Sequence, residues 1–166
     1  MRSSCGSYTY VSASLPHKMN KHQVEEILNY AIQQLKANDS ILIDLNVSER
    51  AVMFHLGRYI REKTPSKFDV DCEYNRHLSN KKQLLYLKDL LHVKEEYEVL
   101  PDILIHRRNS DENNILVLEI KKYGGDINTD VRKLQAFKNE PYFYGFAVQV
   151  VIGGPGSDQN IDFEFV

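Results

Sequence analysis

The stretch that most constrains this chain runs from Leu100 to Lys122. It reads Leu-Pro-Asp-Ile-Leu-Ile-His-Arg-Arg, then a polar Asn-Ser-Asp-Glu-Asn-Asn turn, then Ile-Leu-Val-Leu-Glu-Ile-Lys-Lys. Two apolar runs around a turn predict two β-strands joined by a hairpin-like loop. Side chains alternate along a strand, so Ile115, Val117, Glu119 and Lys121 share one face, and Leu116, Leu118 and Ile120 the other. In the first strand Asp102, Leu104 and His106 lie opposite Ile103 and Ile105. Pairing that sets Asp102 beside Glu119 brings two carboxylates and the Lys121 ammonium to one point.

Carboxylate oxygens suit a hard divalent ion such as Mg²⁺, which keeps several waters and shares phosphate oxygens. Such an ion lowers the pKa of a bound water and neutralises charge developing on a phosphate. A nearby lysine can hold or deprotonate that water and balance the negative charge. The constellation is suited to phosphodiester hydrolysis.

At these residues the sequence resembles the PD-(D/E)xK nuclease superfamily, the restriction-endonuclease-like fold. Pro101-Asp102 matches the family's PD, and Glu119-Ile120-Lys121 its ExK. The resemblance implies that Asp102 and Glu119 bind Mg²⁺ or Mn²⁺ and that Lys121 serves the attacking water. It also implies nucleic acid as the partner, DNA ahead of RNA, and makes a homodimer an option for cutting two strands. Many members carry a further metal-binding glutamate on an early helix, and Glu49 is the best match here. The competing expectation for Glu49 is that it complements the positive end of its own helix.

The 166 residues favour a single domain over 20–166, preceded by a polar, serine-rich tail or arm over 1–19. Apolar content of 42% and charged content of 27% are ordinary for a globular chain. No apolar run is long enough to span a bilayer, and no charged-then-apolar leader is evident. Cys5 and Cys72 make neither a disulfide framework nor a zinc site, so a reducing, cytoplasmic setting is expected. A net charge of −2 weighs against strong non-specific nucleic-acid binding, which relies on a surplus of Lys and Arg.

Before the motif, Val24, Ile27, Leu28, Ala31 and Leu35 recur at helical spacing and predict a helix from His22 to Ala37. Ser40 to Leu45 is expected to be extended. Ser48 caps a helix over Glu49–Glu62, closed by Thr64-Pro65. Phe68 to Arg76 alternates, which predicts a strand with Asp69, Asp71 and Glu73 on one face. Arg76 is a candidate phosphate contact, weighed against a surface salt bridge. A lysine-bearing helix is expected from about Asn80 to Leu91.

Beyond the motif, Tyr123-Gly124-Gly125-Asp126 is a turn, and Asn128 or Thr129 caps a helix reaching about Lys138. Lys133 on that helix is a candidate substrate contact, weighed against an intrahelical pair with Asp130. Tyr142 to Ile152 and Ile161 to Val166 are expected strands. Gly153-Gly154-Pro155-Gly156-Ser157 lacks the Gly-Lys-Ser/Thr ending of a phosphate-binding loop. None of the six histidines forms a zinc-spaced pair, and His106 alone falls on the presumed catalytic face. The expected fold is α/β or α+β, a restriction-endonuclease-like mixed central sheet flanked by helices, with an αβββαβ core over roughly residues 48 to 152.

Overall fold

A five-stranded mixed sheet carries the molecule, with helices against both faces. The computed structural model describes residues 18–78, 80–81, 99–154 and 160–166. The helices are α1 (Lys21–Asn38), α2 (Ser40–Asp44), α3 (Glu49–Lys63) and α4 (Ile127–Phe137). The strands are β1 (Asp69–Cys72), β2 (Arg76–His77), β3 (Asn80–Lys81), β4 (Ile103–His106), β5 (Leu116–Lys122), β6 (Phe146–Ile152) and β7 (Ile161–Phe165). The main sheet runs β1-β4-β5-β6-β7, and β2 and β3 form a separate two-stranded ribbon. The β4–β5 and β6–β7 pairs are antiparallel, whereas β5 and β6 are parallel and joined through α4.

One face of the sheet packs against α1 and α3. Ile103, Ile105, Leu116, Leu118 and Ile120 meet Leu28, Leu35, Leu56 and Ile60 there. The other face packs Leu104 and Val117 against Leu134 and Phe137 of α4, with Tyr142 and Tyr144 closing the layer. Burying each such large apolar side chain contributes about 1.5–3 kcal/mol. The alternation read along β4 and β5 thus sorts their side chains between two cores. It also puts Asp102, Glu119 and Lys121 on the α4 side.

Helix α3 sits directly on β1 at Gly57, where a Cβ would lie 2.7 Å from Cys72 Sγ. Ser48 caps α3, its Oγ accepting the Ala51 N–H at 3.4 Å. Met19 is buried in the α1–α3 core, so the packed domain begins ahead of α1. The remainder of the expected N-terminal tail, residues 1–17, lies outside the described residues. No helix among the described residues is long and apolar enough to cross a membrane.

Five local expectations are corrected. Ser40–Asp44 is a short helix, not an extended segment. It buries Ile43 against the core and leaves Ile41 and Leu45 exposed, an outcome that a short apolar run does not decide alone. The alternating run from Phe68 stops at Cys72, because Glu73 takes a left-handed backbone (φ 48°) and turns the chain. Arg76 then joins the β2–β3 ribbon. Asn80 and Lys81 are strand residues in that ribbon, and the rest of the helix expected there lies outside the described residues.

Helix α4 is capped by Asp126 rather than by Asn128 or Thr129. The Asp126 carboxylate accepts the Asn128 and Thr129 N–H groups at 3.1 and 3.4 Å and the Thr129 hydroxyl at 2.6 Å. Finally, the apolar run from Tyr142 enters the sheet only at Phe146, after Phe143 adopts φ 50°.

Candidate active site

The candidate site forms where β4 begins and β5 ends. Ile103 pairs with Leu118, and continuing that antiparallel register sets Asp102 opposite Glu119. Asp102 is fixed by its own backbone neighbourhood: its Oδ2 accepts the Ile120 N–H at 2.7 Å. Glu49, in the first turn of α3, reaches the same strand end. Its Oε1 accepts the Lys122 N–H at 2.9 Å. Both carboxyls therefore keep a second oxygen that is not engaged by these backbone bonds.

Helix α4 supplies the rest. Lys133 Nζ lies 2.8 Å from Glu119 Oε1 and donates to the Leu100 carbonyl at 2.9 Å. Lys121 Nζ lies 3.1 Å from Asp130 Oδ2. The two ion pairs cross between β5 and α4, so the expected Lys133–Asp130 pair within the helix is not the one made. Both contacts are ion pairs by distance alone. Glu119 Oε1 and Asp130 Oδ2 are buried with no donor aligned to them as a hydrogen bond.

Four carboxyls thus face two ammoniums in a largely buried corner, and burial with the neighbouring negative charge raises the proton affinity of two of them, Glu119 and Asp102. Burial, reinforced by Asp102 and Asp130, pushes the Glu119 carboxyl up to about 8 despite Lys133 beside it. Burial likewise raises Asp102, while the Ile120 N–H and Lys133 pull the other way. Burial works to lower the Lys121 pKa, but Asp130, Glu49 and Asp102 outweigh it and the net direction is up. Lys121 is thereby kept as a cation.

The turn after β5 shapes this corner. Gly124 takes φ 86°, and the Gly125 N–H closes the turn on the Lys122 carbonyl at 3.0 Å. A Cβ on Gly125 would stand 2.7 Å from Lys121 Cδ and 2.9 Å from Cγ. Glycine at this position leaves room for the lysine to lie back towards Asp130.

Five of the six residues singled out from the sequence converge here: Asp102, Glu119, Lys121, Glu49 and Lys133. Arg76 does not. It lines a small recess with Tyr74, His106 and Tyr144, at the opposite end of β4 from Asp102. Four residue steps separate Asp102 from His106, about 13 Å of extended chain. His106 is likewise away from the carboxylates. It bonds Asp71 Oδ2 through Nε2 at 2.8 Å and meets the Tyr74 ring edge-on.

Asp130 is the member that sequence reasoning did not place. An aspartate in the first turn of a helix is ordinary, and only the β5–α4 crossover shows that it faces Lys121.

Among the described residues no three His, Cys, Asp or Glu side chains stand at metal-ligand spacing as they lie. The donor chemistry nevertheless fits a hard divalent ion. Asp102, Glu119 and Glu49 offer carboxylate oxygens only, and Glu119 Oε1 is a buried acceptor without an aligned donor. The Lys133 ammonium occupies the cationic place beside it.

Comparison with known proteins returns nothing: no family model matches the chain, and neither a curated protein nor a solved structure does.

Proposed function

We propose that this chain is a divalent-metal-dependent nuclease that hydrolyses phosphodiester bonds of nucleic acid, in the manner of the PD-(D/E)xK superfamily it resembles. The observation that carries the reading is the meeting of Asp102, Glu119 and Lys121 at the β4–β5 strand ends, with Glu49 arriving from α3. With the separate β2–β3 ribbon set aside, the order α3-β1-β4-β5-α4-β6 among the described residues also agrees with the αβββαβ core that the resemblance implies.

Asp102, Glu119 and Glu49 would hold Mg²⁺ or Mn²⁺, which supplies an activated water and neutralises charge on the phosphate. Each protein group has a separate task. The Ile120 and Lys122 backbone N–H groups fix the Asp102 and Glu49 carboxylates, so that their remaining oxygens are presented without side-chain search. Lys121, leaning on Asp130, offers an ammonium that orients the attacking water and balances charge on the phosphate oxygens. The substrate class is nucleic acid, with DNA ahead of RNA, acted on in the cytoplasm by a monomer or a homodimer.

A second reading, a nucleic-acid-binding or assembly module that keeps the fold without the chemistry, draws on Lys133. Its ammonium already compensates Glu119 without a metal. Cleavage of single-stranded and duplex DNA and RNA with Mg²⁺ or Mn²⁺ separates the two. The nuclease reading expects metal-dependent cleavage, abolished in Lys121→Ala and in Asp102→Asn. Binding with no cleavage under any of these conditions would favour the module.

A further inference from the structure

A recess of about 230 Å³ lies at the same strand ends, on the opposite face of β5 from Glu119 and Lys121. Leu42 of α2, Val47 of the link that follows and Val52 of α3 line it on one side, and Tyr123, Gly153 and Gly154 at the ends of the sheet on the other. It is smaller than the ~300–1,000 Å³ of sites for drug-sized ligands, a size for one planar ring system.

Three features at its rim belong together. Tyr123 is 60% exposed, an aromatic ring given to solvent. Its backbone is nevertheless part of the ladder, with its N–H donating to the Ile152 carbonyl at 2.8 Å, so the ring stands on a rigid base. Lys122 Nζ donates to the Asn46 carbonyl at 3.0 Å and to Asn46 Oδ1 at 2.6 Å. Asn46 takes a left-handed backbone (φ 50°), which asparagine tolerates and which lets both oxygens face the ammonium. These partners are neutral, and no carboxylate among the described residues pairs with Lys122. Its ammonium is fixed in place by these neutral oxygens.

A fixed cation, an exposed aromatic ring and a small recess of mixed polar and apolar lining have the chemistry to recognise one nucleotide: charge for the phosphate, ring and recess for the base. The Lys122 peptide N–H is also the group that holds Glu49, so this site and the candidate metal ligands share a residue. We propose that the recess beside Tyr123 seats an unpaired nucleobase of the strand being cut, so that the substrate is single-stranded nucleic acid. This inference deepens the nuclease reading and rests on it for the identity of the ligand. A base in a duplex has both faces covered by its neighbours, whereas an unpaired base can stack on a side chain.

The test is binding of a short single-stranded oligonucleotide carrying 2-aminopurine, followed by the quenching that stacking causes, with EDTA present so that nothing is cut. Wild type, Tyr123→Ala, Tyr123→Phe and Lys122→Ala are compared, with the matching duplex and free AMP as further arms.

Loss of one base–aromatic stack weakens binding by about 5- to 150-fold. Tyr123→Ala is expected to show that loss and to abolish the quenching, while Tyr123→Phe restores both. Lys122→Ala is expected to shallow the salt dependence by roughly one phosphate contact. Tyr123 is exposed, so its truncation leaves the core intact.

Single-strand binding indifferent to Tyr123→Ala would overturn the proposal. So would duplex binding with the same Tyr123 dependence. A response to AMP alone, with none to the oligonucleotide, would also overturn it, in favour of a free-nucleotide site. Tyr123-dependent stacking in a protein that cleaves nothing would uphold the base site and remove only the nuclease reading.

Discussion

Lys133 and Glu119 meet at 2.8 Å across the β5–α4 interface, so a strand carboxylate chosen as a metal ligand is already faced by a tethered cation. A metal arriving at Glu119 meets Lys133 as a competitor. Replacing Lys133 by Met removes the competitor and keeps the apolar stem. The expected result is tighter binding of Mg²⁺ or Mn²⁺ by calorimetry than in wild type. In metal-free buffer the same variant leaves a buried acid without its partner, and denaturant unfolding should show a loss of about 1–3 kcal/mol. Unchanged or weaker metal affinity would mean that Lys133 does not occupy the cation's place.

Gly125→Ala tests the space given to Lys121. The added methyl would collide with the middle of the lysine side chain and push it off Asp130. A misplacement of about 1 Å in a positioning group can cost on the order of 100-fold in rate. Cleavage is expected to fall by about that factor while metal affinity stays near wild type. Equal loss of both would place the fault in the fold of the turn.

One of the basic residues near the sheet should not matter. Arg76 stands with His106 at the far end of β4. Arg76→Ala is expected to change cleavage by no more than about twofold, a neutral surface substitution. A large loss would bring that end of the sheet into the substrate path.

Away from the site, Asp71 ties β1 to the end of β4. It accepts hydrogen bonds from Arg108 Nε at 2.9 Å and pairs with His106 Nε2 at 2.8 Å. Burial works to raise its pKa, but the His106 and Arg108 hydrogen bonds prevail and hold the carboxyl far below the usual aspartate range. The unfolded-chain value is about 3.9. A depressed folded value means that the stabilisation is complete above that pH and is lost as pH falls towards the folded pKa. Unfolding free energy measured between pH 6 and pH 2 is expected to drop on the acid side, and Asp71→Asn should flatten that drop. A variant with the same acid slope as wild type would contradict this role.

Much of the site was legible because β-strands have a strict two-residue period. Asp102, Glu119 and Lys121 interrupt otherwise apolar runs at alternating positions, so sequence alone puts them on one face and at one end. Glu49 was legible as a helix-start residue, though the backbone N–H of Lys122 that holds it was not. What escaped the sequence are partners fixed by tertiary crossing. Asp130 and Lys133 stand three residues apart on α4 and invite an intrahelical pair, but β5 offers each an opposite charge in a drier place. Burial strengthens those contacts relative to a solvated one. The shortened β1 and the helical Ser40–Asp44 were lost for a different reason. Short segments take their form from what they pack against, and Glu73 ends β1 with a backbone conformation that its residue type does not announce.

The most direct test of the central claim is a calorimetric titration of Mg²⁺ and Mn²⁺ into wild type and into Asp102→Asn/Glu119→Gln, with folding checked by circular dichroism. Wild type is expected to bind saturably, and the binding is expected to disappear in the double variant. A folded wild type that binds neither ion, or a double variant that binds as wild type does, would contradict it.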